Sequence, residues 1–292
     1  LGGPAGPPRD RPTEEETVLK LSLCNEVVRD LPFDRQCAFA ASVGYDGLEI
    51  APFTFSDQPQ DLTAVDLAAI SKALKAEGLA CSSLHWLLVA PEGLSITDPD
   101  ESVRRRTVEV MRRFVDMAAT LGADRLVHGS PKQRNLEPGA EAECRARAVE
   151  CLAAAAEAAE AAGVIYCIEP LASRETNFIN TLAEAAALVA EVDSPGFSTM
   201  IDSSAAGFEE GDVPALIDRW LPAGRISHVQ VNDPNRRGPG EGDLPMAPIL
   251  AALRRHDYQG WVAVEPFIYE PDGQACAARA AGYLRGILET MR

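Results

Sequence analysis

From Thr17 onward the chain repeats one rhythm. A short apolar run rich in β-branched and aromatic residues is followed by a longer stretch whose apolar positions recur at helical spacing. The runs predict strands at 18–24, 47–51, 79–86, 124–130, 164–169, 197–202, 225–231 and 261–266. The intervening stretches predict helices at 33–43, 62–77, 100–121, 139–162, 181–192, 212–220, 245–256 and 273–291. Gly44, Gly78, Gly122, Gly163 and Gly260 punctuate the helix ends, and alanine-rich segments such as CLAAAAEAAEAAG are strong helix formers. Eight alternating units with no break in composition predict an α/β fold, a single-domain (β/α)8 TIM barrel over residues 17–292, in preference to a doubly wound sheet. Residues 1–16 are rich in proline and glycine and nearly devoid of large apolar side chains, so they are expected to form a flexible tail.

The composition narrows the function classes. The 292 residues are 46% hydrophobic and 24% charged, in the globular range. With 44 acidic against 27 basic residues the net charge is −17, which repels a polyphosphate backbone unless a basic patch intervenes. Arg104 to Arg106, Arg112 and Arg113 share a helical pattern with Glu101, Glu109 and Asp116, which reads as a solvated face rather than such a patch. No nucleic-acid partner is expected. No apolar stretch approaches the roughly 20 residues that span a bilayer, and the N-terminal segment lacks the order of a secretory signal, so no membrane association is expected. The seven cysteines are odd in number, dispersed and free of CxxC spacing, which suits a reducing cytoplasm and small buried side chains.

Candidate chemistry lies at the C-terminal ends of the predicted strands, the end where parallel barrels carry their active sites. In chain order these ends carry Glu26, Glu49, His85, His128, Glu169, Asp202, His228 with Gln230, and Glu265. Several carboxylates among apolar strands repel one another and resist burial unless a cation compensates them. Glu169, Asp202 and Glu265 therefore predict a divalent-metal site. Hard oxygen donors favour Mg2+ or Mn2+; an amide or imidazole in the set shifts preference toward Mn2+ or Co2+, and Zn2+ is also compatible. Alternation places His228 and Gln230 on one face, and either could supply the fourth ligand; Gln230 lies one pleat nearer the mouth and is preferred. Trp86, Phe53, Phe55, Phe267 and Tyr269 fall where they could wall a pocket. The GPGEGD segment at 238–243 lacks the features of a phosphate cradle and is expected to be a flexible loop over the mouth, and His256 is expected at the surface.

Seven segments, in this order and spacing, resemble the xylose-isomerase-like barrels of the sugar isomerase and epimerase type, whose members include hydroxypyruvate isomerase, ketose 3-epimerases and inosose dehydratase. They are GYDGLEI at 44–50, SSLHWLL at 82–88, LVHGSP at 126–131, IEP at 168–170, MID at 200–202, HVQVNDPNRRGPGEGD at 228–243 and VEPF at 264–267, and the likeness runs from about residue 18 to 290. The resemblance implies one divalent metal held by Glu169, Asp202, Gln230 and Glu265, with Glu169 and Glu265 as the catalytic acid and base and with Arg236, or Arg237 beside it, gripping a substrate oxygen. His85, His128, His228, Glu49 and Trp86 complete the expected substrate-binding set.

The implied activity is isomerisation or epimerisation of a ketose or hydroxy-keto acid through a metal-stabilised enediolate. The expected partner is a small sugar or keto-sugar, with a homo-oligomer possible. One departure stands out: relatives carry a histidine three residues after the aspartate, where this chain has Ala205. The missing imidazole motivates an alternative reading as a lyase or dehydratase acting on a keto-sugar, keto-inositol or 3-keto glycoside at the same site.

Overall fold

The computed structural model describes residues 19–291. The tail expected at 1–16 lies outside the described residues. The strands are β1 (Lys20–Cys24), β2 (Gly47–Ile50), β3 (Ala80–Leu84), β4 (Arg125–His128), β5 (Ile165–Ile168), β6 (Phe197–Asp202), β7 (Ile226–Val231) and β8 (Trp261–Val264). They pair in parallel in sequence order, and β8 closes on β1, giving a closed eight-stranded barrel. Each lies inside its expected range and is up to three residues shorter.

Around the barrel run α1 (Phe33–Ser42), α2 (Ala64–Ala76), α3 (Glu101–Leu121), α4 (Glu141–Ala162), α5 (Leu182–Val192), α6 (Ser203–Glu209), α7 (Val213–Trp220), α8 (Met246–Arg255) and α9 (Gly273–Thr290). Local signals set their limits. Thr63 with Asp66 and Thr181 with Glu184 form reciprocal capping boxes at the starts of α2 and α5. Gly122 and Gly163 end α3 and α4 in the left-handed conformation, at φ 79° and 72°, which a Cβ would disfavour. Gly260 ends no helix; Asp257, at φ 51°, takes the left-handed position after α8. The short α6 had no counterpart in the expected elements.

The main core is one apolar cluster formed between strands and helices, from Leu19 to Leu288. A small separate cluster of Val127, Cys167 and Met200 comes from β4, β5 and β6. Side-chain alternation carries the faces of Cys167 and Met200 two residues on, to Glu169 and Asp202. The apolar packing of these strands thus gives way to acidic groups at one end. No helix among the described residues is long and apolar enough to cross a membrane.

Candidate active site

Glu169 and Glu265 follow directly on β5 and β8, Asp202 ends β6, and Gln230 is the penultimate residue of β7. Ladder register sets Gln230 beside Asp202 on one side and Ala263 on the other. One ligand-type oxygen from each of Glu169, Asp202 and Glu265 lies within 4.8 Å of the others, and all three residues are buried. A cavity opens here. Its lining includes Glu169 and Glu265, with Glu175 as a third acid, and Trp86, Pro131, Leu171 and Phe267 as apolar wall.

The hydrogen bonds leave particular atoms free. Asp202 Oδ1 accepts from the Ala205 amide at 2.7 Å and caps α6, while Oδ2 is buried with no partner. Glu265 Oε1 accepts from Trp86 Nε1 at 3.0 Å and lies 3.1 Å from His85 Nδ1; its Oε2 has no partner. Gln230 Nε2 donates to Glu49 Oε1 at 2.8 Å, leaving its own carbonyl oxygen unpaired. His228 Nε2 meets Glu49 Oε2 at 2.8 Å and leaves Nδ1 unpaired. β2 and β7 are not ladder neighbours, so the Glu49 contacts cross the barrel interior.

These atoms fit a divalent cation. Glu26, Glu49, Glu169, Asp202 and Glu265 are five buried carboxylates, against which the same region sets the buried Arg134 and His85. One doubly charged ion would bring that set close to neutrality, and each unpartnered oxygen is a donor that burial has stripped of water.

The electrostatics agree. Burial, then the charges of Glu265 and Asp202, pushes the Glu169 carboxyl well above the usual carboxylate range. Asp202 is raised by burial and by Glu265. Burial also lifts Glu265 to about 7, although His85 works against the rise. Burial disfavours charge on His85, yet Glu26, Glu265 and Glu49 together hold the imidazole protonated well above its ordinary value. Glu49 is likewise opposed by burial, but His228 and His85 keep its carboxyl below the ordinary value.

The expected substrate-binding residues divide into two groups. His85 and Trp86 line the cavity, although both His85 nitrogens already face carboxylates, Glu265 through Nδ1 and Glu26 through Nε2. Arg236 reaches it from the rim, with its guanidinium 4.7 Å from the Phe267 ring centroid and 3.8 Å from Glu175. Arg237 instead pairs outward with Glu270. His128, His228 and Glu49 are fully buried and lie outside the cavity lining. His128 Nδ1 meets the Tyr166 hydroxyl at 2.9 Å, its Nε2 is buried without a partner, and burial together with Arg134 drops its pKa to about 3, which keeps the ring neutral. His256 is half-buried against Asp218, away from the cavity. The 238–243 segment is tied down: Glu241 pairs with Arg279 on α9 and accepts from the Gly238 amide at 3.1 Å.

Sequence reasoning missed Glu175, Gly129 and Arg134. Glu175 sits in a loop with no periodicity to mark it. A Cβ at Gly129 would lie 2.3 Å from Glu169 Oε2, so a side chain there would displace that carboxylate. Arg134 is fully buried, donates from Nη1 to the His128 carbonyl at 3.4 Å and leaves Nε and Nη2 unpaired; its neighbour Ser130, at φ 23°, and Trp86, at φ 52°, hold strained backbone at the cavity. All seven cysteines are free and buried, as expected, and Cys24 lies beside Glu26, His85 and Glu265.

Comparison with known proteins is consistent with this picture. A family model described as a xylose isomerase-like TIM barrel matches residues 37–287. A D-psicose 3-epimerase from Agrobacterium fabrum is 28% identical over 235 residues, covering 78% of this chain and 77% of that protein. A 2-oxo-tetronate isomerase from Cupriavidus necator is 30% identical over 260 residues, covering 86% and 92%. A crystal structure of a 3-keto-D-glucoside 4-epimerase from E. coli superposes with a TM-score of 0.79 at 21% identity, covering 92% of this chain and 100% of that one, a likeness of fold.

Proposed function

The chain belongs to the xylose isomerase-like TIM barrel family, and from that premise we propose that it is a divalent-metal-dependent isomerase or epimerase of a small ketose or hydroxy-keto acid. The observation that carries the reading is the convergence of Glu169, Asp202 and Glu265 beside the cavity, with buried oxygens left unpartnered on Asp202 and Glu265. Glu169, Asp202, Gln230 and Glu265 would hold the ion. Gln230 is favoured over His228 because it is paired in register with Asp202 and still offers a free carbonyl oxygen. Such an ion, Mn2+ or Mg2+ by its oxygen-rich donor set, would polarise adjacent carbonyl and hydroxyl oxygens and acidify the proton on the carbon between them.

The protein's own groups supply the remainder. Glu169 and Glu265 both line the cavity, so a substrate held there meets both carboxyl groups. A carboxyl group beside the reacting carbon can both accept and return a proton. One of the pair takes the carbon-bound proton, and the other delivers a proton to the opposite face for epimerisation or to the neighbouring carbon for isomerisation. Trp86, Leu171, Pro131 and Phe267 pack against the apolar face of the sugar and keep water away, while Arg236 and Glu175 meet hydroxyl groups at the rim.

Incubating the Mn2+-loaded protein with a panel of ketoses and hydroxy-keto acids in D2O tests the reading. Solvent deuterium should appear at carbon in substrate and product. A protein that keeps its Mn2+ and exchanges no carbon-bound hydrogen across the panel would refute it. Ala205 is buried and brings no side-chain donor to the site, which leaves room for elimination chemistry; product mass separates the two outcomes, since only a lyase loses water or an aglycone.

A further inference from the structure

We propose that Glu26 and His85 form a positioning pair that fixes Glu265 in a single orientation, presenting Oε2 to the metal and substrate side. The inference rests on the role given to Glu265 above. The geometry is a chain across the barrel mouth. Glu26, in the 3-10 turn Asn25–Val28 after β1, has Oε2 3.0 Å from His85 Nε2; His85, directly after β3, has Nδ1 3.1 Å from Glu265 Oε1. β3 and β8 are not neighbours in the sheet, so no ladder hydrogen bond could set this distance.

Three features make the arrangement specific. Glu265 Oε1 receives two donors, His85 Nδ1 and Trp86 Nε1, the latter at 3.0 Å, whereas Oε2 receives none. The two oxygens are thereby distinguished, and the carboxylate cannot rotate without breaking two hydrogen bonds. Secondly, each ring nitrogen of His85 faces a carboxylate oxygen, so anchoring Nε2 on Glu26 fixes the ring plane and directs Nδ1 at Glu265. Thirdly, the pair is dry: His85 is 1% and Glu26 7% exposed, so water cannot substitute for either contact. Trp86 reaches the same oxygen from a left-handed backbone position at φ 52°, a costly placement for a bulky residue that the surrounding packing must maintain. Carboxylate and histidine partners that orient a metal-bound group typically control about 10- to 100-fold in metal affinity or activity.

The test compares His85→Leu, His85→Asn and Glu26→Gln with the wild type, reading Mn2+ affinity by calorimetry, kcat and KM on a turned-over ketose, and folding by thermal denaturation. Asn places an amide N–H near the position of Nδ1 and should keep the Glu265 bond. His85→Leu should weaken Mn2+ binding about 30-fold and lower kcat with KM little changed, His85→Asn should recover about tenfold of that loss, and Glu26→Gln should fall between them. If His85→Leu does not fold, the other two variants decide: wild-type Mn2+ affinity in both would overturn the proposal. Equal values for Leu and Asn, with the wild type still binding Mn2+, would also overturn it while the metal reading stands. A wild type that takes up no Mn2+ would remove both together.

Discussion

Replacing Glu265 with Gln should make the metal-free protein more stable at pH 8 while weakening its response to metal. Burial lifts the carboxyl from its ordinary 4.5 to about 7 in the folded chain, with Glu26 and Glu49 adding to the rise and His85 opposing it. A carboxyl that binds its proton more tightly folded than unfolded lowers stability as pH climbs from 4.5 to about 7, because the unfolded state releases its proton first; above 7 the whole deficit is present. Two and a half tenfold steps in proton affinity, at about 1.4 kcal/mol each, amount to roughly 3 kcal/mol. Glutamine is neutral, has the same shape and can still accept from His85 and Trp86 through Oε1. His85 loses one charged partner in the exchange, which offsets part of the gain, so the expected net is about 1–2 kcal/mol at pH 8 and nearly zero below pH 4.5. Urea unfolding in EDTA at the two pH values measures it. With Mn2+ at about 100 times its dissociation constant the order should reverse, the wild type gaining about 2.7 kcal/mol and Glu265→Gln far less. A variant less stable than wild type in EDTA at pH 8, or one gaining as much from Mn2+, would refute the reasoning.

Three further outcomes follow from individual contacts. Gly129→Ala should push Glu169 aside, since the new Cβ would fall 2.3 Å from Oε2; Mn2+ affinity and kcat should drop about 10- to 100-fold, with the far-ultraviolet circular dichroism unchanged. Arg236→Ala removes a half-exposed guanidinium from the Phe267 face and should raise KM about tenfold with kcat nearly constant, as steady-state kinetics would record. His128 has its pKa lowered from 6.5 to about 3 by burial, so the unfolded chain takes up a proton that the folded ring refuses as pH falls through that window. Stability should decline there by roughly 5 kcal/mol from this group alone, and urea titrations of His128→Gln should show a flatter profile.

The barrel was legible because its signals are local and repeated eight times: apolar runs of strand length, helical spacing between them, and glycine or threonine at the boundaries. α6 escaped because seven residues, SSAAGFE, carry no apolar periodicity, and its start is set by Asp202, which the sequence marked as a metal ligand. One oxygen of Asp202 caps the helix and the other is free. The residues at strand ends were findable by position. What the pattern could not give was depth: His85 follows β3 and lines the cavity, whereas His128 ends β4 and Glu49 and His228 lie within β2 and β7, fully buried and outside the lining. Glu175 and Arg134 lie in loops where sequence spacing carries no distance information, and Glu26 gained its meaning only from its contact with His85 across the mouth.

The most direct measurement is anomalous diffraction at the manganese edge from crystals grown with Mn2+. A single peak within about 2.5 Å of oxygens from Glu169, Asp202, Gln230 and Glu265 is the expected result. A map with no peak there, or with the ion bound elsewhere while those carboxylates remain paired only with protein, would contradict the account.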